Sequence, residues 1–228
     1  MKRPDFARTE LQPLEDRDLR FLIDSFPEPA TRYEEIARIL DTLPNTLESM
    51  LTSDSVVQKV IYDREKLLRI SPFLLFNVLL RQVLSDHRRP AERRVVNYLA
   101  NLMALFVTTH RLYRVDATDD EAYAYLVDMI EKAVGADPRR RFLIHAHVGN
   151  YSLFMTGLFG AYFEERFKNG RRTISSDYYA DLGSASYSQA SALPPAQEYQ
   201  LTEIFVRLAL TFDSYRHALG TIACDYMT

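Results

Sequence analysis

The side chains best suited to chemistry lie in one stretch, Phe142 to Phe163. It contains no Asp, Glu, Lys or Arg, yet it carries His145, His147, Asn150 and Tyr151. An imidazole can ligate a metal or exchange a proton near neutral pH. An amide and a phenol can orient a bound molecule through hydrogen bonds. On a helix, His147, Tyr151 and Phe154 share one face with Asn150 beside it, whereas His145 and His147 stand roughly 200° apart, at about 100° per residue. A second uncharged stretch, Val95 to His110, carries Asn97 and Asn101 one turn apart. If the two stretches pack together, His145, His147, Asn150, Tyr151, Asn97 and Asn101 line a small-molecule pocket, or else form a buried polar network that only stabilises.

A second chemistry is anion binding. Arg139, Arg140 and Arg141 stand where a helix begins after Asp137–Pro138. The macrodipole disfavours cations at that end, so three of them invite a phosphate or carboxylate on the free backbone N–H groups. Pairing with acids such as Asp119, Asp120 or Asp137 is the structural alternative.

Metal chemistry is the third. His145 or His147 could act with His110 or His217, and Asp213–His217 and Asp177–Asp181 are each one turn apart. The Glu-x-x-His pairs of di-iron bundles, His-Glu-x-x-His and zinc-site spacings are all absent. Cys224 is the only cysteine, which excludes an intramolecular disulfide and a multi-thiolate site. No metal and no cofactor is expected, and a metal- or haem-binding helical protein stands as an alternative. No glycine-rich phosphate loop, nucleophile elbow or kinase signature occurs, and the chain reads more readily as a binder than as an enzyme.

These residues need elements to hold them, and helix punctuation supplies the elements. Ser71–Pro72 reads as an N-cap followed by a first helical residue and opens Phe73 to Leu84. Pro90 opens a helix running to about His110. Thr31 with Glu34, and Thr118 with Glu121, match the capping-box pattern, and Gly135 is placed to stop the second of those helices. Asp137–Pro138 starts a helix over 138–168 that Asn169–Gly170 ends. Pro194–Pro195 precedes one long helix with Leu201, Ile204, Phe205, Leu208, Phe212, Tyr215, Leu219 and Ile222 on one face. Shorter helices are expected over Leu14–Phe26, Thr46–Leu51 and Asp54–Leu68, and Tyr178–Leu193 reads as a helix or an ordered loop. Arg141 to Val148 also alternates like a strand, which would set both histidines on one face. Along 138–168, Ala146, Gly149, Ser152, Thr156 and Gly160 form a line of small residues that lets another helix approach closely.

Composition bounds the rest. A formal net charge of -3 gives no general reason to expect nucleic acid as a partner. The polar start, Met1 to Pro13, lacks a signal-peptide core and reads as a flexible segment of a cytoplasmic protein. The length of Phe142 to Phe163 suits a bilayer, but two His, one Asn and three Gly make insertion expensive. The expectation is therefore an all-α, single-domain multi-helix bundle over 1–228, built around a buried apolar central helix and not in a membrane. Its expected function is binding a small molecule in a pocket lined by 138–168. The alternative is an interaction or scaffold module whose buried polar residues are structural. Apolar helices exceed what one bundle needs, so a homodimer is expected.

Overall fold

Side-chain caps start four of the helices, two of them, at Ser71 and Asp137, where the sequence places them. Ser71 Oγ accepts from the N–H of Leu74, Ser53 Oγ from Val56, Ser175 Oγ from Tyr178, and Asp137 from both Arg139 and Arg140. Each satisfies backbone donors that the first turn of a helix leaves without partners. A computed structural model of the chain describes residues 3–26, 44–63, 69–84, 90–116, 126–168 and 175–227. The capping boxes at Thr31 and Thr118 and the stop at Asn169–Gly170 lie outside the described residues. All regular structure among the described residues is helical, so the fold is all-α.

The chain divides into two compact units, Arg8–Ala104 on one side and Met1–Ala7 with Leu105–Thr228 on the other, where the sequence suggests one domain. The Arg8–Ala104 unit holds α1 (Asp16–Asp24), α2 (Pro44–Leu51), α3 (Asp54–Tyr62), α4 (Pro72–Val83) and most of α5 (Pro90–Phe106). Helices α2, α3 and α4 pack on one another. Buried Asp18 ties α1 to the start of α4: its carboxylate accepts the Ser71 N–H at 2.7 Å and the Ser71 hydroxyl at 2.6 Å. Burial pushes the Asp18 carboxyl above its usual range, against the pull of the two Ser71 bonds.

The discontinuous unit opens with a 3₁₀ turn, Asp5–Ala7, and has a second at Thr109–Tyr113. Its helices are α6 (Leu126–Ala133), α7 (Pro138–Leu158), α8 (Gly160–Lys168), α9 (Ser176–Ser191), α10 (Pro194–Glu198), α11 (Thr202–Leu210) and α12 (Phe212–Tyr226). Helix α7 packs most extensively on α9, then on α12 and α6. Glycines on α7 and α9, of which Gly149 belongs to the expected line of small residues, are what allow this. A Cβ on Gly149 would fall 2.7 Å from the Tyr187 ring, one on Gly157 2.7 Å from Leu219 Cβ, and one on Gly183 2.6 Å from Ser152 Cβ. Real Cβ atoms do not approach that closely, so these glycines are required by the helix–helix distance.

Several expectations change here. Residues 141–148 are helical, and the strand alternative is removed. No helix among the described residues is long and apolar enough to cross a membrane, which removes the bilayer reading of 142–163. Tyr178–Leu193 is helical over Ser176–Ser191. The long helix expected after Pro194–Pro195 is three helices, interrupted at Gln200 and Thr211. Its eight-residue apolar face is nevertheless buried throughout. Gln200 has φ +58, a conformation no α-helix passes through.

The start of the chain is no free arm. Arg111, itself buried, pairs with Asp5 through two 2.7 Å contacts, Arg3 donates to the Tyr199 carbonyl at 3.2 Å, and buried Phe6 meets the Phe142 ring. Polar composition alone suggests flexibility, but Arg3, Asp5 and Phe6 make specific long-range contacts.

Candidate functional site

Helix α7 distributes its polar groups over different neighbours. His147 is 1% exposed, and its Nε2–H donates to the Leu112 carbonyl at 3.0 Å. A carbonyl can only accept, which assigns the neutral Nε2–H tautomer. The Phe106 ring stands edge-on to the imidazole, with centroids 5.7 Å apart. Burial, with the Arg111 charge added, pushes the His147 pKa down to about 3, so the ring is neutral at physiological pH. Its polar atom and its flank are thus occupied by the protein itself.

His145 lies two positions away on a different face. It is half-buried, its Nδ1 is buried without a hydrogen-bond partner, and burial with the Arg141 charge lowers its pKa. Asn150 Oδ1 accepts from the Tyr187 hydroxyl at 2.8 Å, a buried bond that locks α9 against α7 beside Gly149. Tyr151 is half-buried. Among the described residues, no group of three or more His, Cys, Asp and Glu is placed to hold a metal.

Asn97 belongs to a different cluster, inside the Arg8–Ala104 unit. Arg81 has a fully buried side chain and pairs bidentately with Glu48, Nε to Oε2 at 3.0 Å and Nη2 to Oε1 at 2.9 Å. It also donates to Asn97 Oδ1 at 3.1 Å and to Asn77 Oδ1, and the Asn97 amide donates to the Thr9 carbonyl at 3.1 Å. This network borders a cleft of about 400 Å³ that Glu48, Asn97, Arg93, Arg94 and Glu10 help to line. Asn101 is buried one turn further along α5. Arg81 and Glu48 are absent from the sequence candidates. A signal exists: Arg81 is the one charge in Phe73–Leu84, one turn after Asn77.

The arginine run is also accounted for locally. Asp137 Oδ1 accepts from the Arg139 N–H at 2.9 Å and the Arg140 N–H at 3.0 Å, using the donors a bound anion would need. Those bonds hold the Asp137 carboxyl below its usual range. Arg141 donates to the Ala136 carbonyl at 3.3 Å, and Arg139 is exposed.

A cleft of about 750 Å³ in the discontinuous unit lies further along the same segment. Helix α7 ends at Leu158, and α8 resumes at Gly160. Thr156, Gly157, Gly160, Ala161 and Glu164 line one side, and Asp213, Ser214, Arg216, His217 and Gly220 from α12 line the other, with Ser176 at the start of α9. At the cleft, α12 approaches α7 closely through Gly157 and Gly220. A Cβ on Gly220 would sit 3.6 Å from the Gly157 carbonyl oxygen, so backbone meets backbone there. Arg216 is held in place by Asp213 at 3.0 Å and Asp177 at 3.1 Å. The Thr156 hydroxyl donates to the Ser152 carbonyl at 2.6 Å and keeps its acceptor lone pairs. The Asp213–His217 pair, one turn apart in sequence, faces this space.

Comparison with protein-family models, with curated proteins and with solved structures finds no match to this chain.

Proposed function

We propose that the chain binds a small polar molecule in the cleft formed by the end of α7, α8 and α12. The observation that carries this reading is the cleft itself: about 750 Å³, within the ~300–1,000 Å³ of small-molecule sites, with Gly157, Gly160 and Gly220 among its lining. Such sites are usually lined by apolar side chains. Here the walls carry both signs, Glu164 and Asp213 against Arg216 and His217, with the hydroxyls of Thr156, Ser176 and Ser214 between them. That lining suits a polyol or a zwitterion better than a flat apolar ring. The proposed site stays within the 138–168 segment but lies at 156–164 rather than at His147.

Gly160 provides the test, because a Cβ added there meets nothing within 4 Å. Gly160→Leu places a bulky side chain on the cleft lining, at a position where its Cβ meets no other atom. Ligand-observed NMR against a library of polyols, amino acids and small amines should yield binders of the wild-type chain that Gly160→Leu loses and His147→Gln keeps. Binders retained by Gly160→Leu, or a library with none, would defeat the proposal.

A second reading, an interaction module that self-associates, rests on α11. Val206 is 41% exposed and Leu210 is 80% exposed, one helical turn apart on the face opposite the buried Phe205 and Leu208. Exposed apolar pairs of this kind mark interfaces more often than scattered single residues do. The occupant of this reading is a second copy of the chain, as a cytoplasmic homodimer.

A further inference from the structure

We infer that the Arg8–Ala104 unit carries a binding site for a neutral lactam or primary amide, in the cleft lined by Glu48 of α2 and Asn97 of α5. The cleft measures about 400 Å³, within the ~300–1,000 Å³ of small-molecule sites. Leu11 and Leu47, both buried, give it apolar surface. Its polar chemistry is set by Arg81, which holds Glu48 and Asn97 but has nothing left to offer a ligand. All five of the Arg81 N–H bonds are used. Nε donates to Glu48 Oε2 at 3.0 Å, and Nη1 to the Asn77 carbonyl at 3.2 Å and to Asn77 Oδ1. Nη2 donates to Glu48 Oε1 at 2.9 Å and to Asn97 Oδ1 at 3.1 Å. An anion therefore finds no donor on Arg81 and meets the Glu48 carboxylate. A cation finds both carboxylates of the lining already paired, Glu48 with Arg81 and Glu10 with Arg94 at 3.6 Å.

What remains is neutral hydrogen bonding. An arginine only donates and a carbonyl only accepts, so the bonds from Arg81 to Asn97 Oδ1 and from Asn97 Nδ2 to the Thr9 carbonyl fix which way round the amide stands. Thr9 takes one of the two Nδ2 hydrogens. The other has no acceptor among the described residues, although Asn97 is only 3% exposed. A buried donor left unmet is costly, and a ligand oxygen removes that cost. Each Glu48 carboxylate oxygen accepts one N–H from Arg81 and keeps a lone pair. The two groups are neighbours, because Arg81 Nη2 donates to both. The cleft thus offers an acceptor beside a donor. The complement is an N–H next to a C=O on the same side of the ligand. A trans peptide carries these groups on opposite sides of its plane-bound C–N bond. A lactam or a primary amide carries them on one side.

The test titrates caprolactam into the isotope-labelled full chain and follows the Asn97 side-chain amide resonances by NMR. A saturable shift of the Nδ2–H signals is expected, with a Kd on the order of 1 mM for so small a probe. N-methylcaprolactam has the same ring and no N–H, and should bind about tenfold more weakly or worse. Acetate should give no saturable shift. Because the Asn97 signals report the site itself, caprolactam bound elsewhere on the chain does not count in favour. The double variant Arg81→Met/Glu48→Met removes the acceptor. Where circular dichroism and melting show it folded, it should bind the two lactams equally. Where it does not fold, the discrimination between the two lactams by the wild type decides alone. Asn97 signals that stay in place, equal binding of both lactams by the wild type, tighter binding of acetate, or a folded double variant that keeps the preference overturns the inference.

Discussion

At the scale of single residues, two buried ionisable side chains, His147 and Asp18, have opposite responses to acid. His147 titrates near 6.5 when unfolded and at about 3 when folded, so below about pH 6.5 the unfolded chain binds the extra proton. Stability therefore falls as pH drops through that window, by roughly 2 kcal/mol at pH 5. His147→Gln keeps a donor for the Leu112 carbonyl and removes the titration, so its urea midpoint should depend less on pH between 4 and 6.5 (window from ordinary and folded values). His147→Leu should be worse at neutral pH by about 1–3 kcal/mol, since that carbonyl loses its partner. Asp18 has a raised folded pKa, so its contribution is present in acid and declines as pH rises through the folded value. In the Arg81 network, Glu48→Ala leaves a buried cation without its carboxylate and should cost about 3–5 kcal/mol. Arg81→Met/Glu48→Met should cost less than Glu48→Ala alone, a comparison read from denaturant midpoints. The imidazoles, Asn97 and Asn150 are visible in the sequence as polar residues in apolar surroundings. Their partners are not, because Leu112, Tyr187 and Thr9 lie 35, 37 and 88 positions away.

At the scale of elements, the small residues on α7 set the distance to its neighbours. Gly149→Ala drives a methyl into the Tyr187 ring, which is itself pinned by Asn150 and cannot swing aside. The expected loss is about 1–3 kcal/mol, the range for overpacking, seen as a lower melting temperature. Gly160→Ala, with open space around it, should be neutral or slightly stabilising through its helix propensity. Helix starts were legible because Ser71, Asp137 and Pro138 act on their immediate neighbours. The break at Gln200 and Thr211 was not, since the apolar stripe from Leu201 to Ile222 runs on with helical spacing through both interruptions. Burial selects which positions are apolar, and a chain that bends while keeping its face inward leaves the pattern intact. Likewise Ser and Ala along Tyr178–Leu193 look like loop composition, yet they are what a helix packed at glycine distance on α7 requires.

At the scale of the whole molecule, self-association is the property most open to measurement. Light scattering at tens of micromolar, the order of modest dimer affinities, should return twice the 26.4 kDa chain mass, and Leu210→Glu should return the monomer. A monomeric wild type removes that reading. The division of the chain has another consequence, for its order of synthesis. Asp5 is made 106 residues before Arg111 and Arg3 196 residues before Tyr199. At ~5–20 residues per second, Arg3 waits roughly 10–40 s for its partner. Meanwhile every residue of Arg8–Ala104 has been translated, so that unit can fold on the ribosome while the segment ahead of it stays uncommitted. Arrested nascent chains extended far enough past Ala104 for that residue to clear the ribosome, but ending before Phe142, should already protect α2 to α4 from protease and leave Phe6 accessible.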